Sequence, residues 1–489
     1  MTCWEPVIGL EVHIQLATKS KLFCGCAAAF GARPNSQICE VCAGHPGGMP
    51  TLNGRAVELA MRLASALGCV IQTTSRFARK SYSYPDLPKG YQITQYDQPL
   101  AQGGALGFEL RVGRAADAFE ERRVNLTRLH LEEDAGKTLY ETGSGGETLI
   151  DLNRAGVPLV ELVSEPELRS PDEAAAYLRA LRTQVRWLGV SDGNLDQGSL
   201  RCDANISLRP AGSTALGPRT ELKNLNSFRH VKQALAAEIA RQRASLDAGE
   251  VVEQQTRSWD PRAGETRLLR AKEEAEDYRY LTEPDLPPLM VDARGADARS
   301  LELPLARQRR LVSEHRAAGL SSQLARELCR EIELADAFEQ LVQRGVTARR
   351  AATWILGELL SHLDDPRQAL KPRVSLDQTA ELLRLVEAGQ LTLGQAKDLW
   401  AKLWTNDDAR AQAVEMAARS AGLLDAHIER AELERAVERF IADHPDEVAA
   451  YRAGKQKLLG WFIGQLQREL GGRADPRALQ TLLTERLRG

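Results

Sequence analysis

The stretch IGLEVHIQL, residues 8 to 16, sets three chemically capable side chains two residues apart: Glu11, His13 and Gln15. Alternate residues of an extended strand share a face, so a carboxylate, an imidazole and an amide stand together while Leu10, Val12, Ile14 and Leu16 face a core. Three more segments add polar groups. In RCDANISL, Arg201, Asp203, Asn205 and Ser207 oppose Cys202, Ala204, Ile206 and Leu208; TELKNL puts Glu221 on one face with Lys223; HLEEDAGK sets Glu132, Glu133 and Asp134 in a row. A single polar strand face ordinarily meets water. Four faces that gather carboxylates with Asn and Arg point instead to a cleft. Such a cleft suits a hard cation like Mg2+, which takes oxygen ligands and shares them with water and substrate phosphates. His13 is a poorer ligand for that ion than a carboxylate, and suits the orientation of a ligand or a bound water.

Cysteine spacing suggests a second centre. Cys24 and Cys26 form C-x-C, and Cys39 and Cys42 form C-x-x-C. Four thiolates at this spacing can close a tetrahedral structural zinc site with no open position for catalysis; the alternative is four small fillers of a core. Cys3, Cys69, Cys202 and Cys329 read as isolated core residues. The segment RKSYSYPDLPKGYQITQYDQP, 79 to 99, reads as a loop whose Lys80, Tyr82, Tyr84, Lys89 and Tyr91 line a substrate pocket, since aromatic rings give rigid walls with polar tips. Nucleotide loops are missing: DAGKT lacks the first glycine of a phosphate loop, and TGSGGET reads as a hairpin turn.

The elements that must hold these groups follow from composition and pattern. With 489 residues and 43% hydrophobic content the chain can bury a full core. Its start lacks the flank and apolar stretch of a signal peptide, and no run is long enough to cross a bilayer, so a cytoplasmic protein without membrane contact is expected. Eight cysteines are then reduced thiols or metal ligands. A net charge of −3 confines any nucleic-acid binding to a local patch; Tyr451 to Gly489 offers one, with eight Lys or Arg against three acidic residues. An α+β fold is expected: a large antiparallel-sheet cradle over 1–294, a helical domain over 295–405, and a small helical tail over 406–489. Two helices interrupt the sheet. One, SPDEAAAYLRALRTQVRWLG, has Ser170 as N-cap, Pro171 at its first position, Glu173 in capping-box position, Leu178, Leu181, Val185 and Leu188 on one stripe, and Gly189 as its stop; the other follows Ser227.

Taken in order, IGLEVHIQL, ICEVCAGHPGGMPTLN, RKSYSYPDLPKGYQITQYDQP, HLEEDAGK, DLNRAGVPLVELVSEP, RCDANISLRP and RTELKNLNSFRHVKQAL resemble the signature blocks of the B subunit of the tRNA-dependent amidotransferase, the GatB family. ATWILGELL and the stretch from Tyr451 resemble its helical domain and YqeY-like tail. The resemblance implies ATP-dependent phosphorylation of the side-chain carboxylate of Glu on tRNA(Gln) or Asp on tRNA(Asn), then displacement of phosphate by ammonia. It further implies that Glu11, His13, Glu132, Glu133 and Glu221 form the metal and kinase site, with Mg2+ on Glu11, His13, Glu132 and Glu221. Asp203 and Asn205 join them as catalytic candidates from strand alternation alone. Lys80, Lys89 and Glu133 match residues of an ammonia path. The chain shows no glutaminase signature, so the family's glutaminase A subunit and its C subunit are expected partners, with the basic tail on the tRNA elbow and no DNA. A zinc-stabilised RNA scaffold and an adenylate-forming ligase are the rival readings.

Overall fold

The computed structural model describes residues 3–115, 118–139, 148–271, 278–292, 301–424, 430–470, 474 and 476–488. The expected hairpin turn at TGSGGET, the 294/295 boundary and most of GGRADP lie outside the described residues. The chain divides into two compact units, Met1–Arg307 and Gln308–Gly489. The fold is α+β, with the sheet in the first unit and helices in the second.

A ten-stranded sheet carries the first unit. At its centre Trp4–Gln15 pairs antiparallel with Pro158–Ser164 on one side and Leu200–Pro210 on the other. Phe119–Glu133 lies beyond Pro158–Ser164. Thr220–Lys223, Gln255–Asp260 and Glu265–Ala271 continue past Leu200–Pro210. One pairing departs from the antiparallel expectation: Thr220–Lys223 runs parallel to Gln255–Asp260. Helix Phe228–Asp247 joins those two strands, and a parallel pair requires a crossover of this kind.

Alternation sorts the residues of the central strand as its sequence dictates. Ile8, Leu10, Val12 and Ile14 are at most 1% exposed, while Glu11, His13 and Gln15 keep partial access to solvent. Helices Gly54–Ala66, Pro171–Trp187 and Phe228–Asp247 contribute to the same core as the apolar face. Each fully buried Leu or Ile there is worth about 1.5–3 kcal/mol. Helix Pro171–Trp187 starts where Ser170 Oγ accepts the Glu173 N–H at 3.1 Å, and Leu178, Leu181, Val185 and Leu188 are buried. The Glu173 carboxylate accepts from Arg169 N at 2.7 Å, so the reciprocal bond reaches one residue further back than a capping box requires. Gly189, at φ 62°, ends the element in the left-handed region. Ser227 caps the helix after it through His230 N at 3.0 Å.

Two expectations need correction. The 79–99 segment is not all loop, because Ala78–Ser81 and Tyr91–Thr94 pair as a hairpin. Ile93 and Thr94 favour extended backbone, and the prolines at 85 and 88 fall in the connection, where no ladder hydrogen bond is lost. Cys3 is exposed, unlike the buried Cys69, Cys202 and Cys329. It precedes the first paired residue, Trp4 opposite Pro210, where its carbonyl accepts the Ala211 N–H at 2.8 Å while its side chain stays exposed.

The second unit is helical. Helices Leu376–Glu387 and Leu393–Thr405 open on complete capping boxes, Ser375 with Gln378 and Thr392 with Gln395. Towards the C-terminus Leu433, Phe440, Phe462, Leu466, Leu479 and Leu483 form a core of their own. Among the described residues no helix is long and apolar enough to cross a membrane.

Candidate active site

Strand register turns the polar faces into a grid. Glu11 stands opposite Asp203, and His13 opposite Arg201 on one neighbour and Glu161 on the other; Glu161 also faces His130, and Asn205 faces Glu221. Beside Glu11 the ladder shifts register between Val163 and Ser164. Ser164 Oγ accepts the Leu10 N–H at 2.9 Å there, which satisfies that donor where the regular pairing ends.

The grid forms the wall of a cavity of about 470 Å3 in which Glu11, His13, Glu132, Asp203, Asn205 and Glu221 meet. Their contacts are specific. Asn205 Nδ2 donates to Glu11 Oε1 at 2.8 Å. His13 Nε2 lies 3.2 Å from Glu132 Oε1 and 3.7 Å from Glu161 Oε2. Lys223 Nζ bridges Asp203 at 2.8 Å and Glu221 at 2.7 Å, and Thr256 Oγ1 donates to Glu221 at 2.8 Å. Arg201 pairs with Asp134 at 2.6 Å.

Glu133 goes elsewhere. Alternation turns it away from Glu132, and its carboxylate takes the Lys89 ammonium and the Ile93 N–H, the latter at 2.9 Å. Of the aromatic and cationic candidates, Lys80 and Tyr82 line the cavity and Tyr84, Lys89 and Tyr91 do not. Lys80 Nζ sits 4.6 Å over the ring of Tyr278, a wall residue that sequence reasoning missed. Glu161 and His130 were missed too. His130 Nε2 is 3.2 Å from Glu161, which is the one acidic residue of the strand PLVELVS. A charge inside an otherwise apolar strand was the available signal.

Electrostatics follow from this crowding. Burial raises the Glu11 carboxyl above its ordinary range, and the charges of Glu161, Glu221 and Asp203 add to it against the Asn205 hydrogen bond. Burial disfavours the charged form of His13, but its hydrogen bond to Glu132 and the charges of Glu132 and Glu161 prevail and raise it to about 9. Burial opposes ionisation of Glu161 as well, yet His130 and His13 hold its carboxyl well below the usual range. One ligand atom each from His13, Glu132 and Glu161 lies within 4.8 Å of the other two. Two carboxylates and an imidazole at that spacing fit a divalent cation, which would take the place of the His13 proton. The buried Arg128 Nε and His130 Nδ1 have no hydrogen-bond partner among the described residues, so polar capacity at the wall is left for a ligand.

The cysteines form a separate centre. The four sulfurs of Cys24, Cys26, Cys39 and Cys42 lie within 4.8 Å of one another, and Cys39 and Cys42 are 3.9 Å apart. A tetrahedral zinc with bonds of about 2.3 Å separates its sulfurs by about 3.8 Å, so the donor set fits that ion. The Cys42 thiol is pulled down to about 4, first by the hydrogen bond from Cys24 and then by the Cys39 N–H and Lys21, against the effect of burial.

Comparison with known proteins identifies the family. Residues 6–296 match the GatB/GatE catalytic domain and residues 336–487 the GatB domain. Similar relatives are the aspartyl/glutamyl-tRNA(Asn/Gln) amidotransferase B subunits of Myxococcus xanthus, 46% identical over 99% of this chain and 98% of that one, and of Nitratidesulfovibrio vulgaris, 47% identical over the full length of both. That of Geobacter sulfurreducens is 44% identical over 99% of this chain and 100% of its own. The acidic cavity and the cysteine cluster both fall inside the matched catalytic domain, and the chain belongs to the family of aspartyl/glutamyl-tRNA(Asn/Gln) amidotransferase B subunits.

Proposed function

We propose that the acidic cavity is where ATP activates the side-chain carboxylate of a mischarged Glu-tRNA(Gln) or Asp-tRNA(Asn) and where ammonia then replaces the phosphate. A carboxylate oxygen attacks the γ-phosphorus, the bond to the β,γ-bridging oxygen breaks, and ADP departs with the electron pair. Ammonia adds to the acyl phosphate carbon, inorganic phosphate leaves, and the amide remains once the surplus proton is lost. Phosphoryl transfer of this kind needs positioning and charge neutralisation more than a protein nucleophile. Magnesium, when bound, neutralises charge on the transferred group. His13, Glu132 and Glu161 would hold it, with Glu11 and Glu221 on the same cavity wall. Lys80, Arg128, Arg201 and Lys223 line the cavity too and supply positive charge to the phosphates.

The observation that carries this reading is the convergence of Glu11, Glu132, Glu161 and Glu221 with those cations on one cavity. A scaffold that only bound RNA would repel phosphates with such a wall. Zinc on the four cysteines serves structure, since four thiolates leave no open position. Ammonia comes from a glutaminase A subunit, held with a C subunit, along a polar route beside the Lys89 and Glu133 pair. The domains divide the work: 1–294 holds the acceptor end, ATP and Mg2+, 295–405 is a helical connector, and 406–489 grips the tRNA elbow. The site of action is the cytoplasm.

The test is amidation of both mischarged tRNAs by this chain co-purified with its partner subunits. ATP should be converted to ADP and phosphate in step with amide formation. Release of AMP, or no ATP turnover with either tRNA, would overturn the proposal.

A further inference from the structure

Lys21 is completely buried, yet among the described residues it has no carboxylate partner. Its Nζ donates to Gln37 O at 2.7 Å, Cys42 Sγ at 3.3 Å and Leu152 O at 3.4 Å. A buried ammonium is costly unless negative charge faces it; the two carbonyls carry none, which leaves the Cys42 sulfur as the one group of this set that can bear it. Four thiolates around one divalent ion carry two surplus negative charges, which answers that need. The surroundings extend the link. The loop between the two cysteine pairs is stitched to the segment after Leu149: Asn35 Nδ2 donates to Ile150 O at 2.9 Å, and Gln37 N donates to Asn153 Oδ1 at 2.9 Å. The next residue, Arg154, donates to Ala135 O at 3.0 Å and lies 3.4 Å from Asp134, a residue of the acidic cavity.

We propose that Lys21 is the counter-charge of the thiolate centre and fastens it to the segment that seats Arg154 at the cavity wall. It is a positioning residue, and the proposal rests on the reading that the four cysteines hold zinc. The test uses the full-length chain and its Lys21→Met and Lys21→Gln variants. Zinc affinity is measured by competition with a chromophoric chelator, and the melting temperature is taken with and without zinc. Both variants should bind zinc about 10- to 100-fold more weakly, the usual effect of removing a group that supports a metal ligand. The zinc-stripped variants should melt no lower than the stripped parent. If Lys21→Met fails to fold, Lys21→Gln, which keeps a donor and loses the charge, decides the matter. Parental affinity in the variants, or a lower melting temperature of the stripped variants with affinity unchanged, overturns the role of Lys21 alone. A parent that takes up no zinc overturns the metal reading and the proposal together.

Discussion

Glu161→Gln removes one charge from the centre of the cavity wall and keeps the side chain's shape, so its effect on His13 can be worked out. His13 is held at about 9 against an ordinary 6.5. At ~1.4 kcal/mol per tenfold change this is roughly 3 kcal/mol of net attraction, shared between two carboxylates and reduced by burial. Glu132 holds the larger share, being closer at 3.2 Å than Glu161 at 3.7 Å. Assigning about 1 kcal/mol to Glu161, the variant should titrate His13 somewhat under one pH unit lower. The assay is NMR titration of the imidazoles in metal-free protein, with the His13 signal identified by its loss in His13→Gln. An unchanged midpoint would refute the coupling of the two side chains. The sign extends to stability. A histidine raised on folding contributes fully below its unfolded value and loses that contribution as pH rises through its folded one. The parent should therefore lose resistance to urea between about pH 6.5 and 9, and the variant should lose it earlier. Glu161 works in the opposite sense: its lowered carboxyl contributes above 4.5 and loses that contribution as pH falls through its folded value.

Three other outcomes are expected. Glu11→Gln should abolish ATP-dependent amidation while tRNA binding and the partner's glutaminase activity persist; full amidation by the variant would exclude Glu11 from the chemistry. Replacing the exposed Lys455 and Lys457 with Gln should weaken tRNA binding and lower the salt slope by about one for each phosphate no longer neutralised, read from affinities at several salt concentrations. Ser170→Ala should cost about 1 kcal/mol in denaturant unfolding through loss of the bond to Glu173 N, with amidation unchanged at low temperature.

Much of this architecture was legible because strands with a buried face advertise it. The alternation in IGLEVHIQL and RCDANISL singles out the cavity-facing residues Glu11, His13, Asp203 and Asn205 by itself. Runs without alternation were less readable. In HLEEDAGK three acids follow one another, and only the pairing with Pro158–Ser164 shows that Glu132 enters the cavity while Glu133 turns to Lys89. Glu161 escaped because its neighbours are apolar, so its strand reads as core. Tyr278 reaches the site by chain return, which local pattern does not encode, whereas His130 stands two residues before Glu132 on one strand and alternation alone puts it on the same face. The cysteines were legible from spacing alone, but the buried Lys21 beside them was not, since a lysine in sequence looks like surface.

The adjacent placement of Glu132 and Glu133 makes the length of their strand a functional quantity. A one-residue insertion or deletion between Asn125 and Leu131 would swap the two projections, sending the acid beside His13 towards the hairpin and the lysine-bound acid into the cavity. Related chains should accept substitutions along that stretch far more readily than any change in its residue count.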